Sequence, residues 1–173
     1  MTTTPSREAI FVSHATPEDN AFARWLGAKL AAMGYEVWAD VMRLRGGADW
    51  SRELEKALRE RAIKIQVACS PTSMSRDGVR NEIEIASQLA KQLNDNEFII
   101  PLRLAKFDPH LRIANLQYID FSRSWANGLT ELLELLAANA YIPKRTGRPM
   151  DGWLSAQTSG ATRLVQKHER LNS

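Results

Sequence analysis

The chain holds one cysteine, Cys69, in 173 residues. A lone thiol excludes an internal disulfide and any metal site built on cysteine pairs. Apolar runs are short, and none approaches the roughly 18 residues that a membrane-spanning helix requires. The N-terminal MTTTPSRE is polar and lacks the apolar core of a secretory signal. Together these absences point to the reducing cytoplasm and away from a membrane. Histidine is scarce: His14, His110 and His168 are far apart and suggest no metal cluster. Neither a Walker motif nor GxGxxG occurs, which removes the commonest glycine-rich phosphate cradles.

Charge of one sign is scarce too, with a formal net charge of only +3. Residues 140–173 carry six Lys/Arg against Asp151 and Glu169, leaving 17 basic and 18 acidic residues elsewhere. The body is thus neutral and the tail basic. A nucleic-acid role would rest on the tail alone, and a basic linker is commonly only solvated. Direct nucleic-acid binding by this chain is not expected.

What is present is a regular alternation. AIFVS (9–13), EVWA (36–39), IKIQVAC (63–69), FIIPLRL (98–104) and QYIDF (117–121) read as buried strands. In the third, Ile63, Ile65, Val67 and Cys69 share one face, with Cys69 a small core residue. Pro101 within the fourth suggests an edge or a bulge. Thr16 followed by Pro17 and two acids reads as the cap and first turn of a helix. That helix carries Phe22, Trp25, Leu26, Leu30 and Met33, and Gly34 stops it. Trp50, Leu54, Ala57, Leu58 and Arg61 mark a second helix. A polar loop from Ser70 to Asp77 leads to a third, with Val79, Ile83, Ala86, Ala90 and Leu93 as its apolar stripe. A last helix spans 124–138, with Trp125, Leu129, Leu132 and Leu136.

Strands alternating with helices predict an α/β fold: a flavodoxin-like three-layer sandwich around a five-stranded parallel sheet of order 2-1-3-4-5. Residues 1–8 are expected to be a disordered N-terminus, 9–139 the domain, and 140–173 a basic linker sharing no core pattern with it. Ligands in such sheets bind at the strands' carboxyl ends, where the order reverses between strands one and three. The loop after strand one, Ser13-His14-Ala15-Thr16, and the segment from Ser70 into the third helix both reach that rim. So does the loop 40–49, with paired glycines at 46 and 47, which read either as a turn or as part of a site. Phosphoacceptor chemistry does not fit, because the rim lacks an aspartate after strand three and an acidic pair after strand one. A flavin-phosphate loop does not fit either, since SHATPED contains no glycine.

Glu82 and Glu84 sit two residues apart near the start of the third helix. If Asp77 caps that helix, its capping-box partner would be Arg80, so Glu82 is not needed for capping. Glu82 flanks the buried stripe and faces the rim, whereas Glu84 points about 200° away around the helix. A single carboxylate suits cleavage of a cationic nicotinamide riboside, whose base leaves neutral and needs no general acid. The carboxylate could hold the ribose hydroxyls and stabilise, or capture, the oxocarbenium-like centre. Trp50 is open to two readings: first core residue of its helix, or an aromatic stacked on a flat base.

AIFVSHATPED, GYEVWADVMRLRGGADW and GVRNEIEIA, in this order and at these intervals, resemble a Toll/interleukin-1 receptor (TIR) domain over about residues 9–139. They resemble, respectively, its box one, its second strand with the BB loop, and the helix bearing the glutamate of TIR NAD-cleaving enzymes. The resemblance implies a catalytic role for Glu82, as the last residue of a Trp-x-x-x-Glu motif whose tryptophan position is Gly78 here. It implies substrate contacts from Ser13, His14 and Ala15, which match the segment lining the nicotinamide pocket. Leu44, Arg45, Gly46 and Gly47 match the covering loop, and Trp50 the stacking aromatic; Asp40, Ser70 and Gly78 are expected as further substrate contacts. NAD+ would be the substrate, and no cofactor is implied. The expected reaction is hydrolysis to nicotinamide and ADP-ribose, activated by homo-oligomerisation in which the BB loop of one domain completes its neighbour's site.

SHATPEDNAFARWLGAKL with GYEVWAD is similar to the TIR module of TIR-APAZ proteins. Those partner short prokaryotic Argonautes, which implies a bacterial defence role and an APAZ region beyond YIPKRTGRPM. Two other readings remain: a non-catalytic TIR adaptor acting through TIR–TIR contacts, and a nucleoside deoxyribosyltransferase-like enzyme with a crevice glutamate.

Overall fold

The computed structural model describes residues 6–39 and 50–145. Its elements are β1 (Ala9–Ser13), α1 (Asn20–Ala32), β2 (Glu36–Ala39), α2 (Trp50–Arg61), β3 (Ala62–Cys69), α3 (Pro71–Ser75), α4 (Asp77–Gln92), β4 (Ile99–Arg103), a 3-10 turn (Leu111–Ile113), β5 (Ile119–Asp120) and α5 (Trp125–Ala138). The strands form one sheet of order β2-β1-β3-β4-β5, and every pairing is parallel. Alternating strand residues feed two cores. Ile10, Val12, Val37, Ala68, Ile100 and Ile119 meet α1 and α5 on one face. Phe11, Ile65, Val67, Cys69 and Ile99 meet α2 and α4 on the other. This is the expected three-layer sandwich, each large side chain removed from water contributing about 1.5–3 kcal/mol before entropy is counted.

Several local expectations are corrected. Ile63 does not share the face of Ile65, Val67 and Cys69; it packs against the α1/α5 core. The β1–β3 register shifts between Ala9 and Ile10, and this irregularity turns Ile63 over. Pro101 lies on an inner strand, since β4 pairs with both β3 and β5. The Phe98 carbonyl accepts from Ile65 N–H at 3.0 Å and the Arg103 carbonyl from Phe121 N–H at 2.8 Å. Alternate residues of a strand address opposite neighbours, so Pro101 turns its missing donor toward β5. Pairing with β5 begins only at Leu102 opposite Ile119, and the proline therefore costs no ladder bond.

Helix starts differ as well. Residues 16–19 form a turn, and α1 begins at Asn20 with Asp19 as its cap residue. Thr16 Oγ1 lies 3.4 Å from His14 Nε2 instead of capping a helix. Ser70 to Asp77 is not a plain loop. Ser70 and Ser73 form a reciprocal capping box, with Pro71 at the first position, around the short α3. Arg76, not Asp77, precedes α4, and no side chain caps that helix. Met33, Leu93 and Trp125, expected as stripe residues, are exposed.

Residues 139–145 are not a detached linker. Ile142 is buried in the α1/α5 core, and Arg145 N–H donates to the Gly34 carbonyl at 2.8 Å. The Arg145 side chain also donates to Glu8. Gly34 has φ +97°, and an added Cβ would stand 2.1 Å from the Arg145 carbonyl oxygen. It is thus both the stop of α1 and the seat of this strap. Lys64 is fully buried beside it; its Nζ donates to Asp95 at 2.8 Å and to the Glu97 carbonyl at 2.9 Å, and stands 5.1 Å from the Tyr141 ring centroid.

Candidate active site

The reversal between β1 and β3 opens a cavity of about 360 Å³. Phe11 and Val12 bring β1 to it, Leu54, Glu55 and Leu58 form the α2 wall, and α4 supplies the opposite wall. Gly78, Val79, Glu82 and Ile85 recur at spacings of three and four, so one face of α4 is turned to the cavity. Glu82 is half-buried on that face. Among the described residues an added Cβ on Gly78 would meet nothing within 4 Å, so none of them fills the position four residues before Glu82.

His14 leaves the end of β1 and lines the same cavity, nearly buried at 6% exposure. Its Nε2 is 3.0 Å from Asn20 Oδ1, a contact from the first turn of α1 that orients the ring. Beneath it lies Asp19, whose carboxyl is pushed above its usual range by burial, with partial compensation from the Ser70 hydrogen bond and from His14. The Ser70 hydroxyl donates to Asp19 Oδ2 at 3.2 Å and accepts from Ser73 N–H at 3.1 Å.

The structure thus brings Glu82, His14 and Gly78 together. Ser13 and Ala15, expected as substrate contacts, are buried at 1% each and are not among the lining residues. Ser70 does not line the cavity either, because its hydroxyl is spent on the α3 cap and Asp19. Trp50 opens α2 as expected, but its side chain lies outside the described residues, as do Asp40, Leu44, Arg45, Gly46 and Gly47. Glu84 faces away: it lies 3.4 Å from His110 Nε2 and 3.3 Å from Arg112 Nε.

Sequence reasoning missed Glu55, Arg76 and Asn81 as lining residues. The only signal for Asn81 was adjacency to Glu82, and nothing in the sequence pattern singled out Glu55, which is ion-paired to Arg59 at 3.0 Å. A second cavity of about 260 Å³ beside β4, lined by Arg103, Lys106, Phe107 and Tyr118 among others, has no carboxylate in its wall. Among the described residues no cluster of three or more His, Cys, Asp or Glu could hold a metal ion, and no helix is long and apolar enough to cross a membrane.

The strand order and the rim cavity define a doubly wound α/β domain with a carboxylate at its topological switch point. The family model of the TIR domain matches residues 10–133, and the chain belongs to that family. Protein y4cD of Sinorhizobium fredii is 34% identical over 167 residues, 96% of this chain and 26% of its own length. The 2′ cyclic ADP-D-ribose synthase BtTIR of Bacteroides thetaiotaomicron is 27% identical over 92 residues, 53% of this chain and 31% of its own length. This chain therefore spans between a quarter and a third of the curated relatives it matches. Among solved structures, the TIR domains of the activated Roq1 resistosome superpose with a TM-score of 0.56 at 15% identity, over 76% of this chain and 98% of theirs. The TIR domain of the Toll-related receptor TRR-2 from Hydra magnipapillata gives 0.55 at 16% identity, over 74% and 97%. At such identities these two likenesses speak to the fold alone.

Proposed function

We propose that this TIR domain cleaves the nicotinamide–ribose bond of NAD+, with Glu82 as the catalytic carboxylate. The observation that carries the reading is the placement of Glu82 with His14 and Gly78 around one cavity at the sheet's reversal. The distant likeness to BtTIR, a cyclic ADP-ribose synthase by name, supports the substrate class. In this reading the bond from ribose C1′ to the pyridinium nitrogen breaks, its electron pair passes to that nitrogen, and nicotinamide leaves neutral. Glu82 stabilises the cationic C1′ or bonds to it transiently. Water then adds at C1′ and releases a proton, giving ADP-ribose. If a hydroxyl of the same ADP-ribosyl unit adds in place of water, the product is cyclic, and the first step is unchanged.

Self-association would be the activating event, with the loop 40–49 of one copy completing the site of the next. The setting we propose is a cytoplasmic bacterial anti-phage or anti-plasmid defence system. There the chain would act downstream of a short Argonaute, carrying guide RNA and target DNA, through an APAZ region. The alternative is a non-catalytic adaptor, favoured by glycine at position 78, the tryptophan position of the Trp-x-x-x-Glu motif that the TIR resemblance places on Glu82.

Nicotinamide release from NAD+, measured with and without forced oligomerisation, separates the two. Glu82→Gln is expected to lower it by about 100-fold or more, the scale of losing one preorganised electrostatic group. Glu84→Gln should keep the wild-type rate. Full activity in Glu82→Gln refutes the assignment; no release from any oligomer favours the adaptor.

A further inference from the structure

Arg76 lines the cavity that contains Glu82, and it is the only Arg or Lys among the described lining residues. It stands at the mouth, immediately before α4, with its side chain half exposed. Glu82 is six positions further along the chain, about 9 Å along the helix axis at 1.5 Å per residue. In the free protein its guanidinium is held by Glu18, from the turn that follows β1. The other carboxylate in the wall, Glu55, is engaged by Arg59 on its own helix.

A dinucleotide whose ribose sits at Glu82 must bring two anionic phosphates past this wall, and carboxylates there repel them. A guanidinium presents paired donors matched to phosphate oxygens. We infer that Arg76 is the specificity-determining residue that receives the pyrophosphate, releasing Glu18 as it does so. The inference rests on the reading of Glu82 as the ribose carboxylate. Exchange is easy because a solvent-exposed ion pair contributes little stability. Arg76 thereby selects phosphate-bearing substrates over nicotinamide riboside.

The test combines steady-state kinetics on NAD+ with calorimetric binding of ADP-ribose and of nicotinamide riboside. It compares the full chain with Arg76→Gln, Arg76→Lys and Glu18→Gln. Arg76→Gln should weaken ADP-ribose binding by about 10- to 100-fold, the scale of a lost charge-assisted hydrogen bond. It should raise KM for NAD+ in parallel while kcat stays within about twofold. Arg76→Lys should recover part of the affinity, and Glu18→Gln should strengthen binding. Nicotinamide riboside binding should be indifferent to all three. Unchanged ADP-ribose affinity in Arg76→Gln overturns the inference. So does an equal loss for nicotinamide riboside, or failure of the wild type to bind ADP-ribose. Arg76-dependent ADP-ribose binding without nicotinamide release would remove the proposed reaction and leave Arg76 as the phosphate residue.

Discussion

Three glycines offer one perturbation, glycine to alanine, in three environments, and the structure assigns each its own sign. At Gly34 the backbone is left-handed, φ +97°, which costs an L-residue about 1–2 kcal/mol. The new Cβ also stands 2.1 Å from the Arg145 carbonyl oxygen, a backbone atom that can yield only if the strap moves. Moving it loses the Arg145–Gly34 hydrogen bond of 2.8 Å, another 0.5–1.5 kcal/mol or so, and loosens Ile142. Gly34→Ala should therefore destabilise by about 2–4 kcal/mol in total. At Gly128 an alanine gains roughly 1 kcal/mol of helix propensity. Its Cβ, however, lies 2.6 Å from the Phe121 ring, and crowding a packed core costs about 1–3 kcal/mol. Phe121 is itself held edge-on to Phe22 at 5.2 Å, so the net should be loss. At Gly78 no described residue stands within 4 Å, and the propensity gain is what remains, about 0.5–1 kcal/mol near a helix start. Urea unfolding followed by far-UV dichroism reads all three as midpoint shifts at constant m. If Gly78→Ala loses as much as Gly34→Ala, or Gly34→Ala is neutral, the packing described for these sites is wrong.

Two further outcomes test the interior chemistry. Burial pushes the Cys69 thiol up to about 12, so at pH 8 roughly one molecule in 10⁴ carries the thiolate. Labelling by a disulfide reagent should then track global unfolding across a urea series, and fast labelling in native buffer contradicts it. Asp19 has its folded-state pKa raised above 3.8, mainly by burial, so the folded chain holds that proton more tightly than the unfolded one. Its contribution to stability is present below 3.8 and declines as pH rises through the folded value. Asp19→Asn should flatten that part of the profile; a wild-type-minus-variant difference independent of pH over 4–7 refutes the assignment.

The sheet order was legible because short segments rich in apolar residues, bounded by turn residues, alternate with helices of period 3.6. Local signals failed where a distant residue decided the outcome. Thr16-Pro17 carries the marks of a helix start, yet the turn runs to Asp19, whose carboxylate is claimed by Ser70, 51 residues away. The capping box of α3 was written in Ser70-Pro71 and Ser73, but a five-residue helix has no apolar period to reveal it. Ile142 is a single apolar residue in a polar stretch, and only the docking of Arg145 on Gly34 makes it core. Lys64 and Gln66 are polar residues of β3 that are fully buried, because α1, α5 and the strap close over that side.

The site was legible only in part, for the same reason. Glu82 could be separated from Glu84 by rotation about the helix alone: two residues turn a side chain by about 200°. That rotation puts one carboxylate into the cavity and the other against His110 and Arg112. The remaining wall comes from β1 and α2, and no spacing within α4 announces them. Glu55 shows the limit in the other direction. It reaches the cavity by tertiary packing, yet it is exposed and its charge is met by Arg59 at 3.0 Å. A carboxylate matched in that way offers less field to a cationic centre than its position suggests. Placement at the switch point is thus necessary for the proposed chemistry and not sufficient for it.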